Sequence, residues 1–427
     1  MIKELLKKRL AVLAKKILHT FKPEIIGITG SVGKTTTKEA IAAVLGSRFN
    51  MRATYKNYNN EIGLPLTIIG VTSPGKSIKG WLAVFSHAKK IITDPEKLYP
   101  EMLVLEMGVD HPGDMDYLTS IAKPTRAVLT RLGSAHVEFF SSISELHNEK
   151  LKITKALTED GILIYNYEDE ELRRKTVGLP IKTISYGFSS GADVKVESGT
   201  INLLTGTDRA GVSFKIEYQG SSVPVFIPGL ISRPGILSAL AAAAVAYSYD
   251  FNSIEISNAL KNFRPPAGRM NLLAGISQTT IIDDTYNSSP EAVQESLETI
   301  FEIPKNEYNH SWIVLGDMKE LGENSQKAHE EMGRLVSEKK FNFLVTVGNE
   351  AEDISKSALE TMNEKNVWHF QSSVEAADFL SNKISEKDIL LVKGSQAARM
   401  EKIVKRLMKE PEKANDLLVR QGADWNN

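Results

Sequence analysis

Within the 427-residue chain, the stretch EIIGITGSVGKTTTKEA, Glu24 to Ala40, restricts the fold more than any other. EIIGIT is a β-branched apolar run of the kind that forms a buried strand. Glycines at Gly30 and Gly33 interrupt it, and KTTTKEAIAAVLGSRF then carries apolar residues at helical spacing, ending near Gly46. A strand, a tight glycine turn and a helix N-terminus gather backbone N–H groups and the positive helix end around one anion. In such a loop Lys34 reaches the β- and γ-phosphates and the Thr35 hydroxyl faces Mg²⁺. The spelling is unusual. The pattern G-x-x-x-x-G-K-[ST] wants its first glycine at position 28, where this chain has Ile28, and the glycine stands instead at Gly30. The competing reading is a plain strand-to-helix turn with a solvated lysine, which seldom supplies Gly, Gly-Lys-Thr and a strand together.

The rest of the chain repeats the strand–helix alternation. MLVLEMG, RAVLTRLG and GILIYNYED are strand-like and separated by helical stretches, which implies βαβ units and a mostly parallel sheet. From Thr183 to Pro228 the texture changes to short alternating strands with Gly/Ser turns, read as a smaller antiparallel sheet. ILSALAAAAVAYSY follows as a buried alanine-rich helix, and NFRPPAGRMNLL has the Pro/Gly character of a boundary. Beyond it TIIDDTYN, SWIVLGDM, FLVTVGN and DILLVKGS each precede a helical stretch. The expected fold is α/β: a central domain over 23–265 with its phosphate loop, a mostly parallel sheet and a smaller antiparallel one, then a Rossmann-like C-terminal α/β domain over 266–427.

Residues 1–22 form a separate segment. Ile2, Leu5, Leu6, Leu10, Leu13, Ile17 and Phe21 make an apolar stripe among lysines and Arg9. Such a basic amphipathic helix either packs its stripe on its own domain or a second subunit, or lies on an anionic membrane surface. A formal net charge of −1 gives no reason to invoke nucleic acid. With no cysteine there is no disulfide framework and no thiolate metal site. No apolar run is long enough to span a membrane, so a cytoplasmic location is expected.

Four polar clusters fall where strands end, which is where open α/β sheets place ligands. Glu106 follows the MLVLE strand, His136 follows RAVLT, Lys150 lies on the helix SELHNEKLKI, and Asp283, Asp284 and Asn287 end IIDDTYN. Singly each has a bland reading: a helix cap, a structural histidine, an exposed lysine. Beside a phosphate loop they read differently. Thr35 and Glu106 offer the hard oxygens that magnesium prefers, whereas His136 implies a second metal or a substrate contact.

These motifs carry a resemblance. TGSVGKTTTKE, NYNNEIGLPLT, LEMG…PGDMDYLTSIAKP, AHVEFF, GRM…IIDDTYNSSPEAV, VLGDMKELGENSQKAH and LLVKGSQAARMEKIV together resemble the Mur ligases, in their MurF-type branch, from about Ile25 to Leu407. In that family the loop reads T-G-x-x-G-K-T, with its first glycine where Gly30 stands. The resemblance implies a ligase of cell-wall biosynthesis that makes an amide bond with ATP and Mg²⁺. A carboxylate takes the γ-phosphoryl group, and an amine, D-alanyl-D-alanine by resemblance, displaces phosphate from the acyl phosphate. It implies that Gly30, Ser31, Gly33, Lys34, Thr35 and Thr36 hold phosphate, with Arg269, Asp284 and Asn287 on the nucleotide. Thr35 and Glu106 would hold the first metal, and His136 with Lys150 as a carbamate the second. Asn59, Asn60 and Glu61 of the NNEIGLP motif, with Lys393 and Ser395, would face substrate.

The chain also departs from the pattern. Only residues 1–23 precede the first strand, so the family's N-terminal domain, which grips a UDP-linked acceptor, is expected to be missing. The adenine-side GRHN reads SRPG, Arg131 replaces an asparagine before the AHVE motif, and Gln396 replaces the arginine of KGSR. Two alternatives stay open: a ligase of this fold with a different, non-UDP acceptor, and a non-catalytic ATP-binding subunit of a larger complex.

Overall fold

The computed structural model describes residues 2–55, 57–94, 98–133, 136–204, 210–422 and 425. The chain divides into two compact units. One comprises residues 1–201, 214–226 and 236–263; the other comprises 202–213, 227–235 and 264–427.

The first sheet has ten strands. β1 (Glu24–Thr29), β2 (Met51–Ala53), β3 (Met102–Glu106), β4 (Arg126–Leu129), β5 (Ile162–Asn166), β6 (Lys182–Gly187) and β7 (Val194–Val196) form its parallel part. β8 (Asn202–Leu204), β9 (Gly211–Tyr218) and β10 (Ser221–Pro228) complete it. The order is β10-β9-β7-β6-β5-β4-β1-β3-β2, with β8 also on β9. All five residues of β3 are buried, as expected of a parallel strand covered on both faces. β10 alternates between exposed and buried positions instead. The antiparallel strands are thus not a separate sheet: β7 pairs parallel with β6 and antiparallel with β9, so the parallel sheet simply continues into them.

Helices cover this sheet. α1 (Ile2–Phe21), α2 (Lys34–Leu45), α3 (Gly63–Ile69), α4 (Ile78–Thr93), α5 (Asp114–Ile121), α6 (Ile143–Lys155), α7 (Glu170–Thr176), α8 (Arg233–Tyr247) and α9 (Ser253–Leu260) occur in chain order. In α8, Ala239 and Ala241 to Ala244 are wholly buried, which explains its run of small residues. α1 settles the fate of its apolar stripe. Leu10, Leu13, Ala14 and Ile17 enter the same core as Val84, Phe85, Ala88 and Ile91 of α4, and Phe21 stacks on Tyr99 at 4.6 Å. Most of the apolar stripe is therefore inside the protein and not available to a bilayer. Lys7 of α1 also pairs with Glu61 at 3.0 Å, which ties the helix to the segment before α3.

The second sheet has six strands: β11 (Asn271–Ala274), β12 (Thr280–Asp284), β13 (Ser311–Gly316), β14 (Phe343–Val347), β15 (Val367–Phe370) and β16 (Ile389–Lys393), in the order β11-β12-β16-β13-β14-β15. Only β11 is antiparallel; the other pairings are parallel. β13 and β16 are fully buried. α10 (Pro290–Glu302), α11 (Ser325–Glu338), α12 (Glu352–Ala358), α13 (Ser373–Lys383) and α14 (Glu401–Leu407) pack around them. One core holds Val293, Leu297, Met332 and Val336 on one side, and another holds Ala376, Leu380, Ile403 and Val404 on the other.

Candidate active site

In the first unit β1 lies between β3 and β4, with Ile28 opposite Glu106 and Thr29 opposite Leu129. The chain leaves β1 for one side of the sheet and comes back on the other at β4. The carboxyl ends of these strands therefore form the switch point where α/β sheets hold ligands. Residues 30–33 cross this edge and α2 starts at Lys34. Gly33, at its N-cap, has φ 86°, a left-handed conformation that glycine adopts without strain.

The loop is fastened to the segment after β4. Ser31 N–H donates to the Arg131 carbonyl at 2.7 Å, the Ser31 hydroxyl donates to the Gly133 carbonyl at 3.0 Å, and Thr130 Oγ1 donates to the Val32 carbonyl at 2.6 Å. Gly30, at φ 144°, shows why its residue type matters. A Cβ there would stand 2.1 Å from Thr130 Oγ1 and 3.0 Å from the Arg131 backbone. Gly30→Ala is expected to lower stability by about 1–3 kcal/mol and to abolish nucleotide affinity. Adding Thr130→Ala removes the side-chain clash but leaves the backbone one, so it should restore little. Thermal melts and nucleotide titration check this, and full recovery in the double variant would refute it.

The structure groups most of the expected residues into three sets. Thr35 Oγ1 donates to Glu106 Oε2 at 3.1 Å, and Asn59 Nδ2 donates to Glu106 Oε1 at 3.1 Å. Glu106 is 3% exposed, and its backbone N–H donates to Thr54 Oγ1 at 2.9 Å. Lys38, also buried, donates to the Thr54 carbonyl at 2.7 Å. Both carboxylate oxygens of Glu106 are thus oriented from two sides. Thr36 is half-buried in the first turn of α2.

Lys34 folds back over its loop and donates to the Gly30 and Ser31 carbonyls. Close by, Lys150 projects from α6 and is 1% exposed, and its Nζ has no hydrogen-bond partner among the described residues. Burial, and then the Lys34 ammonium, push it down to about 7 against the opposing pull of Asp110. An exposed-lysine reading of Lys150 is thereby excluded. His136, at φ 69°, places Nε2 3.6 Å from Asp110 Oδ1.

Asn60 and Glu61 have structural partners. Asn60 Oδ1 accepts from the Ile62 and Gly63 N–H groups at the start of α3, and Glu61 pairs with Lys7 and Lys3 of α1.

In the second unit Lys393 Nζ donates to Asp284 Oδ2 at 2.7 Å and to the Asn287 carbonyl at 2.9 Å. Ser296 Oγ donates to the same Asp284 oxygen at 2.7 Å. Lys393, expected toward substrate, is buried in an ion pair with Asp284 and a hydrogen bond to the Asn287 carbonyl, the two residues expected on the nucleotide. Burial raises the neighbouring Asp283 carboxyl to about 6. The Arg269 guanidinium lies 4.1 Å from the Tyr286 ring centre, and its Nε is buried without a partner. Ser395 is buried, with an unpartnered hydroxyl.

A cavity of about 470 Å³ opens at the carboxyl ends of β13 and β14, with Asp317, Lys319, Gly348, Ser372, Arg399 and Lys402 among its walls. Asp317 accepts from Ala351 N–H at 2.8 Å and pairs with Lys319 at 2.9 Å, and Lys319 also meets Glu350 at 2.8 Å. The motif VLGDMKELGENSQKAH carries Asp317 and Lys319 without showing a role for them; its signal is a strand-end Asp317 two residues before Lys319.

Among the described residues no group of three or more His, Cys, Asp or Glu could by itself hold a metal. Thr35 Oγ1 and Glu106 bring two hard oxygens together at the end of the loop.

Comparison with known proteins identifies the fold's relatives. Residues 28–77 and 87–246 match the Mur ligase middle domain, and 268–396 match the Mur ligase, glutamate ligase domain. The UDP-N-acetylmuramoyl-tripeptide–D-alanyl-D-alanine ligase of Bacillus subtilis is 30% identical over 399 residues, 93% of this chain and 79% of that protein. Its counterpart in Buchnera aphidicola is 29% identical, over 91% of this chain and 76% of that one. The MurF ligase of Thermotoga maritima, solved in complex with ADP, superposes with a TM-score of 0.77 at 29% identity, over 95% of this chain and 84% of that one. With both domain models matched and the relatives covered over most of their length, the chain belongs to the Mur ligase family.

Proposed function

We propose that this protein is an ATP-dependent ligase that forms an amide bond between a cell-wall precursor carboxylate and an amine of the D-alanyl-D-alanine type, through an acyl phosphate. The observation that carries it is the contact of Thr35 with Glu106 at the mouth of the phosphate loop, with the buried Lys150 near Lys34 of the same loop. An ionised carboxylate is a poor electrophile. Taking the γ-phosphoryl group forms a C(O)O–P bond, breaks the bond to the β-phosphate oxygen and releases ADP. The amine nitrogen then adds to the carbonyl carbon, phosphate leaves, and the amide remains.

The loop N–H groups and Lys34 would bind the phosphates and stabilise charge as it moves toward ADP. Thr35 and Glu106 would hold magnesium, and His136 with carbamylated Lys150 a second ion. Magnesium, when bound, neutralises the phosphoryl oxygens. Asn59 and Thr54 would orient Glu106 for this. In the second unit, Lys402 gives the cavity wall a positive charge that suits the carboxylate of an incoming dipeptide, whereas Lys319 and Arg399 are already paired with Asp317, Glu350 and Glu401.

The test is ADP release with D-alanyl-D-alanine and a panel of carboxylate acceptors, UDP-linked and not, with mass spectrometry of the products. Release of ADP matched by an amide adduct is expected for at least one acceptor. No release with any amine and acceptor would leave only a binding subunit.

A further inference from the structure

With its apolar stripe in the core, α1 turns a different face outward. Leu5, Lys8, Arg9, Val12, Lys15 and Lys16 are all exposed and recur at the three- and four-residue spacing of one helix face. α4 does the same with Ile78, Lys79, Leu82, Lys89 and Lys90. The two helices bury their inner faces in one core, and Arg9 lies over the Phe85 ring at 4.4 Å, so their outer faces adjoin.

Two features set this surface apart. The first is charge. Lysine and arginine number 52 in the whole chain against 53 acids. α1 alone carries six and α4 three, against the single acid Glu4, which Lys7 pairs at 2.9 Å. Lys8, Lys15, Lys16, Lys79, Lys89 and Lys90 make no ion pair among the described residues. The second is exposed aliphatic side chains among these cations: Leu5 is 68% exposed, Val12 52%, Ile78 78% and Leu82 59%.

We propose that the outer faces of α1 and α4 form one docking surface for an anionic phospholipid bilayer. Lysine and arginine ammonium groups are attracted to anionic headgroups within a Debye length of the membrane, and shallow aliphatic side chains enter the headgroup boundary. Because the main apolar stripe is buried in the protein, the attachment is electrostatic and reversible rather than an insertion. Nucleic acid fits less well: the exposed apolar groups here are aliphatic and offer no ring for a base to stack on.

Co-sedimentation of the full chain with phosphatidylcholine vesicles, with and without phosphatidylglycerol, tests this. Binding should require phosphatidylglycerol and fall as salt rises. Lys8→Gln, Lys15→Gln, Lys16→Gln and Lys89→Gln together should weaken partitioning by up to roughly a thousandfold, at about fivefold per lost cation. Leu5→Ser with Ile78→Ser should weaken it several-fold and leave its lipid-charge dependence intact. ADP formation retained by both variants establishes that they fold. The proposal fails if the wild type does not pellet with anionic vesicles at low salt, if neutral vesicles bind equally, or if the four-lysine variant binds unchanged. It also fails if the same lysines hold a single-stranded RNA while vesicles bind nothing.

Discussion

Lys34→Ala is expected to reduce ADP formation by roughly a hundredfold to a thousandfold, the effect of removing one preorganised charge from a phosphoryl-transfer site. Two effects add. The ammonium at the head of α2 is lost from the phosphates, and so is the positive charge that lies beside Lys150. The Lys34 charge disfavours a second ammonium, so without it Lys150 holds its proton to higher pH and is less often a neutral amine at pH 7. The acid limb of the pH–rate profile should accordingly move to higher pH in the variant. Lys34→Arg should rescue poorly, because the bulkier planar guanidinium does not substitute for a compact ammonium. Steady-state ADP release across pH checks both points, and an unchanged rate would remove Lys34 from the phosphate site.

How far the sequence foretold this site depended on how local each feature is. The loop from Gly30 to Thr35 was readable because strand, turn and helix are contiguous, and the same holds for Glu106 at the end of an apolar run. The contacts that orient Glu106 were not. Thr54 and Asn59 reach it only because β2 and the segment before α3 lie beside β3, a matter of tertiary register. Asn60 and Glu61 show the opposite difficulty. Expected with Asn59 toward substrate, they also have partners that the motif does not show: one starts α3 and the other holds α1. The helix α1 was ambiguous for a physical reason: an apolar stripe suits a protein core as well as a bilayer. Likewise β7 shows no break in sequence, although it is where parallel pairing ends and antiparallel pairing begins. Lys393 ends its strand opposite Asp284, and this register, not visible in the sequence, accounts for their buried ion pair.

Lys150→Ala is expected to abolish measurable ligation, by at least on the order of a hundredfold, with partial recovery in acetate or formate. An ammonium would repel the magnesium it is meant to approach. A neutral Nζ can instead attack CO₂: a C–N bond forms, one proton leaves, and the product is an anionic carbamate with hard oxygens for magnesium. Burial that brings this lysine to about 7 supplies the neutral amine at physiological pH, and the neighbouring Lys34 ammonium stabilises the resulting anion. The same shift has a consequence for stability that needs no turnover. Its folded value lies below the ordinary 10.5, so between those two values the unfolded chain holds a proton that the native state lacks. This group's contribution to stability therefore rises with pH across that window, and its penalty is complete below pH 7. Lys150→Met should raise the melting temperature of the ligand-free protein, most of all at and below pH 7, by an amount worth a few kcal/mol. Bicarbonate should stabilise the wild type by converting Lys150 to its carbamate and leave Lys150→Met unmoved. Full ligation by Lys150→Ala, or an equal bicarbonate shift in both proteins, would end the carbamate assignment. A dead variant that acetate and formate cannot revive would leave only the weaker statement that Lys150 is needed.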